Sequence, residues 1–297
     1  MTTATATDKP APAFRFNKLG TGSLQLDLGL LLFAIIIIAL LAQWVVLDES
    51  ALDGNLRTRL KPMGFVGPDG VRHIFGTDQL GRDLLFRVLG GLPWSLGISG
   101  VAVVCVAVIG TFIGLVGAWY TGVVRTIVLL GIAAMIAMPF LVLALVVVAV
   151  VGRGFWPLSL TMGFIAWTAV SRVIYAEARG LLTREYVLAA RLFGVSKWSI
   201  LIFHVLPGLR PTILVMAAFF FAVLLIIESA LSFLGLGAPL NAPSWGNMLS
   251  DSRQYLTIAP WMMFAPAGAI VLAVISLNLI GDGFAELSRK RARAVEV

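Results

Sequence analysis

The stretch that decides the fold of this chain is SLGISGVAVVCVAVIGTFIGLVGAWY, residues 95–120, which carries no charged side chain. A helix needs about 20 mainly apolar residues to cross the hydrocarbon core of a bilayer, so this run is long enough. Barrel strands alternate apolar and polar residues over about 10 positions, and this run is too long and too uniformly apolar to be one. It therefore predicts a membrane-spanning helix.

Five further runs of the same kind lie on both sides of it, and together they set the fold class. The chain has 297 residues, of which 59% are hydrophobic and 12% are charged, whereas soluble domains carry about 25% charged residues. This composition predicts an all-α, polytopic membrane protein with six transmembrane helices. The predicted spans are Leu28–Leu47, Ser95–Tyr120, Ile127–Val151, Trp156–Ile174, Ile213–Leu236 and Trp261–Phe284.

The positively charged residues lie mainly on one side of this topology. Fourteen of the 22 lysine and arginine residues fall before the first span, between spans two and three, between spans four and five or at the adjoining end of span four, or after the last span. Because cytoplasmic loops are enriched in basic residues, these segments and both termini are predicted to be cytoplasmic. The resulting division is a disordered cytoplasmic tail (1–25), a first transmembrane helix (26–48), a periplasmic loop with a short amphipathic helix (49–93), a core of five transmembrane helices that includes the cytoplasmic loop 175–210 (94–285), and a cytoplasmic tail (286–297).

Motifs for catalysis and for cofactor or metal binding are absent from the sequence. None of the five lysines follows a glycine, so there is no Gly-Lys-Ser/Thr loop to hold a phosphate. Two histidines and one cysteine are too few for a typical zinc site. The basic residues sit between apolar runs, without the interleaved aromatic residues of a nucleic-acid-binding face. We therefore expect no enzyme activity, no cofactor, no metal and no nucleic-acid partner.

The predicted cytoplasmic loop contains EYVLAARLFGVSKWSILIFHVLP, residues 185–207. Its first part is a good helix former, and Gly194 is suited to the left-handed conformation that ends a helix. Ser196 can cap a second helix, which Pro207 is expected to interrupt because proline lacks the amide donor. The loop is therefore predicted to form a short helix–turn–helix lying against the membrane.

The predicted periplasmic loop contains GTDQLGRD, residues 76–83. Asp78 is suited to cap a short amphipathic helix that runs to Leu89. Asp83 and Arg87 are one turn apart on that helix and can form an ion pair. A purely structural role for this segment and a role in gating or partner contact are both open alternatives.

Polar residues inside the predicted spans are the other candidate functional residues. Glu228 lies in the fifth span, about eight residues from its outer end, and acids within a membrane are unfavourable and usually functional. Glu228 and Ser232 are candidates to line a translocation pathway; the alternative for Glu228 is an ion pair or a hydrogen bond to a serine or threonine of a neighbouring span. Asn278 and Asp282, near the inner end of the last span, are expected to form hydrogen bonds between helices.

Four motifs together resemble a family of transport proteins. They are the cytoplasmic loop, GTDQLGRD, SFLGLG with PSWGNML (between residues 232 and 249), and NLIGDG (residues 278–283). In this order they are similar to the dipeptide, oligopeptide and nickel type of ABC transporter permease, specifically its C-type subunit. The motif positions outside the cytoplasmic loop are Gly76, Asp78, Gly81, Arg82, Asp83, Trp245, Gly246, Asn278 and Asp282.

The cytoplasmic loop resembles the signature loop of these permeases, whose pattern is Glu-Ala-Ala, three residues, Gly, nine residues, Ile, one residue and Leu-Pro. Leu188 replaces the glutamate of the pattern, and His204 replaces its isoleucine. Glu185 lies three residues before Leu188, on the same helix face, and is the candidate for the missing acid. The small alanines of the pattern let another surface come close. The matching positions are Ala189, Ala190, Gly194, Leu206 and Pro207.

The resemblance implies an inner-membrane component of a binding-protein-dependent transport system, with the type I ABC importer permease fold. In such a system a second, B-type permease completes the pathway for peptides or a similar small solute, and two ATP-binding subunits dock on the cytoplasmic loops. A periplasmic or lipid-anchored substrate-binding protein delivers the solute. The chain would then be a non-catalytic subunit, surrounded by lipid in the bacterial inner membrane, with ATP hydrolysed in separate subunits. The alternative is a stand-alone secondary transporter or channel, which would predict charged residues that pair across several spans.

Overall fold

The computed structural model describes residues 22–46, 54–68 and 70–295. Of the predicted N-terminal tail, residues 1–21 lie outside the described part, whereas Leu24 and Gln25 already belong to the first helix. At the other end of the chain, the last helix continues to Val295. Most of the segment predicted as a C-terminal tail is therefore helical.

The described part of the chain is almost entirely helical. Its one sheet pairs two short antiparallel strands, β1 (Phe65–Val66) and β2 (Arg72–His73). The helices are α1 (Leu24–Val46), α2 (Leu84–Trp119), α3 (Val123–Ile136), α4 (Phe140–Val151), α5 (Phe155–Leu181), α6 (Glu185–Leu192), α7 (Lys197–Ile200), α8 (Leu206–Phe233), α9 (Trp245–Ser252) and α10 (Trp261–Val295), with 3-10 turns at Leu56–Thr58 and Arg253–Tyr255 and a π-helical turn at Leu201–Val205.

Five helices in the described residues are long and apolar enough to cross a membrane. They are α1, α2, α5, the continuous helix formed by α7 and α8, and α10. A sixth span results when α3 and α4, whose axes meet at 90°, are counted together. The predicted all-α polytopic architecture is thus confirmed, with the third span divided into two helices.

The third span, which the sequence predicts as one helix with a kink at Pro139, is broken into two helices. α3 ends at Ile136 and α4 begins at Phe140, with Pro139 as the N-cap residue. Pro139 has no amide hydrogen to donate to the preceding turn. The proline indicates a bend at this point, whereas the apolar pattern, which is the same on both sides of it, does not show that the helix stops and restarts at 90°.

The prediction that Pro207 interrupts the second loop helix is wrong. Helical residues run continuously from Lys197 to Phe233, and the π-helical turn at Leu201–Val205 immediately precedes the proline. A π turn places one extra residue in the hydrogen-bonded ring and so shifts the register of the helix. Pro207 consequently lies in the first turn of α8, where a missing amide is tolerated.

The second span begins within the segment predicted as a periplasmic loop. α2 starts at Leu84 and continues to Trp119, a length of about 54 Å at 1.5 Å per residue. The short amphipathic helix predicted from Asp78 to Leu89 is therefore not a separate element. Its second half is the beginning of the span, and its first half is a loop.

Helices α2 and α5 approach each other closely at glycines. A Cβ atom on Gly110 would lie 2.8 Å from the Cβ atom of Val170, and one on Gly114 would lie 2.8 Å from the carbonyl oxygen of Ser171. Because lipid is as apolar as the side chains, membrane helices associate through such close packing and not through the hydrophobic effect.

The first and last helices also pack against each other. The hydroxyl of Ser276 in α10 donates a hydrogen bond of 3.2 Å to the carbonyl oxygen of Gly29 in α1. Near the ends of the same two helices, the hydroxyl of Ser23 donates to the carboxylate of Glu286. The bundle is thus closed by its first and last spans.

Candidate functional site

The motif of the predicted cytoplasmic loop folds into two short helices, α6 and α7, which we call the α6–α7 hairpin (residues 185–200). Gly194 has a φ of +76°, a left-handed value that favours glycine. Its amide donates a hydrogen bond of 3.0 Å to the carbonyl of Arg191. Ser196 caps α7 by accepting a hydrogen bond of 3.3 Å from the amide of Ser199. The predicted turn and cap are confirmed.

One face of the hairpin packs against the membrane-spanning bundle. Val187 is fully buried, and Ala190 is 8% exposed. The guanidinium of Arg191 lies 4.4 Å from the ring centre of Trp119, and the ammonium of Lys197 lies 5.0 Å from the ring centre of Tyr120. These cation–π contacts join the hairpin to the end of α2.

The opposite face of the hairpin is exposed and largely apolar. Leu192 and Phe193 are 89% and 87% exposed, so both side chains project away from the bundle. Glu185 and Ala189 are exposed as well. The expectation that both alanines meet an external surface fits Ala189 and is wrong for Ala190, because consecutive helical residues point about 100° apart.

The last two motif positions, Leu206 and Pro207, are half-buried in the first turn of α8. The hydroxyl of Tyr186 in α6 donates a hydrogen bond of 3.4 Å to the carbonyl oxygen of His204 in the π-helical turn. This bond links the two ends of the motif. The structure therefore brings residues 185–207 together as one unit at the end of the bundle.

The GTDQLGRD segment folds around a buried carboxylate. Asp78 is fully buried, and its Oδ1 accepts hydrogen bonds from the amides of Leu80 (2.8 Å) and Arg82 (2.9 Å). Its Oδ2 accepts from Nε of Arg82 (2.7 Å) and Nη1 of Arg87 (2.8 Å). Four donors, two of them on guanidinium groups, compensate for the loss of water around the charge.

Two predicted interactions of this segment are wrong. The N-cap residue of α2 is Asp83 and not Asp78, since Oδ1 of Asp83 accepts a hydrogen bond of 2.7 Å from the amide of Leu85. Oδ2 of Asp83 lies 2.7 Å from Nδ1 of His73, so this carboxylate is not paired with Arg87. The physical reason is that Arg87 turns back to the buried carboxylate of Asp78.

Gly76 and Gly81 form the turns around this carboxylate. Their φ values are +80° and +77°, and a Cβ atom on Gly81 would overlap the carbonyl oxygen of Asn55. Beyond the turns, Nη2 of Arg87 lies 3.5 Å from Oδ2 of Asp251, at the end of α9. The segment therefore connects the 54–68 region, α2 and α9.

The PSWGNML motif forms α9, which is fixed between α2 and α8. The indole of Trp245 is buried and donates a hydrogen bond of 2.9 Å to the carbonyl oxygen of Val88. The amide of Trp245 donates a hydrogen bond of 3.1 Å to the hydroxyl of Ser95. A Cβ atom on Gly246 would overlap the carbonyl oxygen of Ser229. These contacts show how Trp245 and Gly246 hold α9 in place.

Glu228 is fully buried where α8 meets α2 and α9. The hydroxyl of Ser232 donates a hydrogen bond of 2.7 Å to Oε1 of Glu228, and the hydroxyl of Ser229 lies 3.4 Å from Oε2. Ser95 of α2 is a third serine neighbour of this carboxyl group. The amide of Ala238 donates to the Ser232 hydroxyl at 3.1 Å. The geometry matches a hydrogen-bonding role, and contact of Glu228 or Ser232 with a solute stays a prediction.

Asn278 and Asp282 lie one turn apart on the exposed face of α10. Their side chains form no hydrogen bond with other described residues, so the predicted bonds between helices are not made within this part of the chain. Residues 22–46, 54–68 and 70–295 also contain no cluster of three or more metal-ligating side chains.

Three features of these sites have no counterpart in the sequence predictions. Leu192 and Phe193 are apolar residues at the end of α6 that are 89% and 87% exposed, and the apolar pattern alone does not distinguish them from buried residues. Ser95 is a polar residue in an apolar run, which is the signal that could have identified it. The contact between Arg87 and Asp251 joins distant parts of the sequence, where no local pattern applies.

Residues 107–294 match the family model of the binding-protein-dependent transport system inner membrane component. The chain belongs to this family. The matched range contains the α6–α7 hairpin, Glu228 and α9, so the resemblance carried by the motifs is confirmed. The helix bundle of this permease is the type I ABC importer fold, and the protein is a permease subunit of an ABC transport system.

Relatives of the permease are named for peptide transport. The permease is 35% identical over 269 residues to a peptide transport system permease protein of Brucella suis biovar 1. This alignment covers 90% of this chain and 88% of the relative. The permease is 31% identical over 268 residues to the dipeptide transport system permease protein DppC of Alkalihalophilus pseudofirmus, covering 90% and 86%. These alignments extend over nearly the whole permease.

Proposed function

We propose that this C-type permease and a B-type partner form the pathway through which an ATP-driven importer takes up peptides or a similar small solute. The observation that carries the proposal is the α6–α7 hairpin, which is fixed to the bundle on one face and exposes Leu192 and Phe193 on the other. The names of the relatives support the solute class. Because the sequence has no phosphate-binding loop, ATP is hydrolysed in two separate ATP-binding subunits.

The exposed tip of the hairpin is suited to contact with a protein. Burying a large apolar side chain stabilises a contact by roughly 1.5–3 kcal/mol, and two such side chains stand next to each other here. Glu185 and Ala189 lie on the exposed side of α6 and extend this surface. The partner of this surface is one of the two ATP-binding subunits, and the second subunit docks on the B-type permease.

The hairpin is connected to the spans at two places, so its movement is transmitted to both. Arg191 contacts Trp119 at the end of α2. At the other end of the motif, Leu206 and Pro207 belong to the helix that continues into α8. Ser95 of α2 neighbours the carboxyl group of Glu228, and Gly246 of α9 packs against Ser232, so this helix is in contact with both α2 and α9. A displacement of the hairpin on ATP binding therefore moves α2 and α8 together.

The substrate-binding protein docks at the end of the bundle opposite the hairpin. α2 begins beside the Asp78 segment and ends beside the hairpin, so the two sites are separated by the length of a span. The Asp78 segment is linked to α9 through Arg87 and Asp251. Because the Asp78 segment is fixed to α9, it offers the binding protein a rigid surface close to the start of α2.

Both termini and the hairpin lie in the cytoplasm. The basic residues before span one, on the hairpin and after the last span support this orientation. A fluorescent reporter fused after Val297 is expected to fluoresce in the cytoplasm, and an alkaline phosphatase inserted within residues 54–68 is expected to be active in the periplasm. Periplasmic activity of a phosphatase fused after Val297 would contradict the six-span topology.

Purification of the intact complex tests the transport function. A tag on this permease is expected to bring down the second permease and two ATP-binding subunits. In proteoliposomes, uptake of a radiolabelled dipeptide is expected to require ATP on the hairpin side and the binding protein on the other side. Uptake by the permease alone, driven by an ion gradient without ATP, would instead support a secondary transporter.

A further inference from the structure

The α6–α7 hairpin meets the end of α2 through a layer of aromatic rings. Trp119 is the last residue of α2, Tyr120 is its C-cap residue, and Trp198 lies in α7. The ammonium of Lys197 donates a hydrogen bond to the hydroxyl of Tyr120 and lies 5.6 Å from the ring centre of Trp198. Tryptophan and tyrosine are enriched where spans leave the hydrocarbon core. This ring layer therefore marks the membrane surface on the side of the hairpin.

Two cations in the ring layer have no acidic partner within the described residues. Arg191 and Lys197 are both exposed, and neither forms an ion pair within residues 22–46, 54–68 and 70–295. Their nearest described neighbours are the rings, which hold both charges at the level of the lipid headgroups. Basic side chains at this level attract anionic lipids. The base of the hairpin therefore presents two fixed positive charges to the headgroups.

A groove of about 500 Å³ extends from the ring layer into the membrane between α2 and α8. On α2 it runs from Leu115 to Ala107, and its other wall runs from Trp198 to Ile213. The α2 wall is about 12 Å long at 1.5 Å per residue, and the hydrocarbon of one leaflet is about 15 Å deep. The one hydroxyl of the lining, on Thr111, has its oxygen buried. The groove is thus apolar at its open side and has about the depth of one leaflet.

The rim of the groove has the composition of a surface that faces lipid. Its exposed residues are Val108 and Phe112 on α2, Trp198 on α7 and Ile202 on the π-helical turn. Phe112 stacks on Trp198, with ring centres 6.4 Å apart. Protein helices associate within a membrane mainly through small and polar residues, whereas the exposed residues of this rim are all large and aliphatic or aromatic. The rim therefore favours lipid over a neighbouring subunit as what covers the groove.

We propose that the groove binds an acyl chain of an anionic phospholipid, whose phosphate contacts Lys197 and is attracted by Arg191. The chain follows α2 from Leu115 towards Ala107, and the headgroup lies at the ring layer. The two positive charges select an anionic headgroup over a zwitterionic one. The tip of the hairpin stays free for an ATP-binding subunit. The site itself does not depend on the proposed function, on which only the naming of this leaflet as the cytoplasmic one rests.

Photolabelling of the intact complex in lipid nanodiscs tests the site. Phosphatidylglycerol and phosphatidylcholine, each with a diazirine near the middle of an acyl chain, are compared at equal concentration, and labelled peptides are identified by mass spectrometry. Phosphatidylglycerol is expected to label residues 107–115 about fivefold more strongly or better, since each basic residue near the headgroups contributes about fivefold. Absence of label from residues 107–115, as when a neighbouring subunit covers the groove, overturns the proposal. Equal labelling by the two lipids overturns it as well.

The headgroup contact is tested by Lys197→Gln, which removes the charge and keeps a polar side chain of similar length. The preference for phosphatidylglycerol at residues 107–115 is expected to fall about fivefold. Lys197→Arg keeps the charge and is expected to keep the preference. An unchanged preference in Lys197→Gln overturns the contact between the phosphate and Lys197.

The groove itself is tested by two matched valine substitutions on α2. Val104 and Val108 lie one turn apart and are 60% and 63% exposed, but only Val108 lines the groove. Val108→Trp places an indole in the groove and is expected to lose the preferential labelling of residues 109–115. Val104→Trp is expected to retain it. Equal labelling of the two variants overturns the placement of the acyl chain in the groove.

Failure of the lipid site can be told apart from failure of the proposed function, because the labelling needs neither ATP nor dipeptide. If the unaltered complex takes up dipeptide with ATP while residues 107–115 stay unlabelled, the lipid site is wrong and the function stands. If these residues are labelled preferentially by phosphatidylglycerol but the complex takes up no dipeptide, the proposed function fails and the lipid site stands.

Discussion

The double substitution Leu192→Ser with Phe193→Ser is expected to release the ATP-binding subunits from the complex. The two side chains are 89% and 87% exposed in this chain, so the hairpin does not need them for its own packing. Burying a large apolar side chain in a contact contributes roughly 1.5–3 kcal/mol. Losing both should cost about 3–6 kcal/mol, which weakens the contact roughly 10²–10⁴-fold. The measurement is the fraction of ATP-binding subunits retained on a tagged permease after dilution and washing.

A matched control places the same substitutions on another exposed surface. Leu24→Ser with Leu28→Ser alters two exposed leucines in the first turns of α1 (83% and 45% exposed). This control is expected to retain its ATP-binding subunits. Full retention by the Leu192 and Phe193 double variant would show that the hairpin tip is not the docking surface.

Glu228→Leu is expected to lower the thermal stability of the permease strongly. The carboxyl group accepts a hydrogen bond of 2.7 Å from Ser232, in a position with no access to water. Leucine has a similar size but no acceptor, so the hydroxyl of Ser232 loses its buried partner. Leaving buried polar groups unpaired costs about 1–3 kcal/mol each, which predicts a total of about 2–4 kcal/mol with the neighbouring serines included. The midpoint of thermal unfolding in detergent, followed by size-exclusion chromatography, measures this effect.

Glu228→Gln separates stability from transport at the same position. Glutamine keeps one acceptor oxygen for Ser232 and removes the charge. We expect Glu228→Gln to assemble and melt close to the unaltered protein. Normal dipeptide uptake by this variant would show that the charge has no part in transport, whereas lost uptake with normal melting would place Glu228 in the pathway. Unchanged melting of Glu228→Leu would contradict the hydrogen-bonding role.

The spans could be predicted from the sequence because the lipid environment restricts the backbone conformations that can cross a membrane. Every backbone group in hydrocarbon must be paired within its own helix, so length and polarity identify the helices. The predicted starts at Trp156 and Trp261 fall within one residue of the starts of α5 and α10. The predicted ends are less accurate, because α5 continues to Leu181 and α10 to Val295. A helix that leaves the bilayer can continue with polar residues, and hydropathy does not register them.

The sites could be predicted only where the local backbone decides them. Gly194 was identifiable because a helix that turns back needs a left-handed residue there. By contrast, Asp78 and Asp83 are both suited to cap a helix, and the choice between them depends on Arg87 and His73 reaching them in the folded loop. Pattern alone cannot supply such contacts, because they depend on the three-dimensional arrangement.

The contact between α1 and α10 also bears on how the protein is made. Gly29 and Ser276, which hydrogen-bond to each other, are 247 positions apart, and a ribosome adding roughly 5–20 residues per second needs about 12–50 s to cover that distance. During this time the first span is already inserted, but its neighbour has not been synthesised. A nascent chain that stops before its last span therefore keeps an unpaired first helix, by which membrane quality control can recognise an unfinished permease.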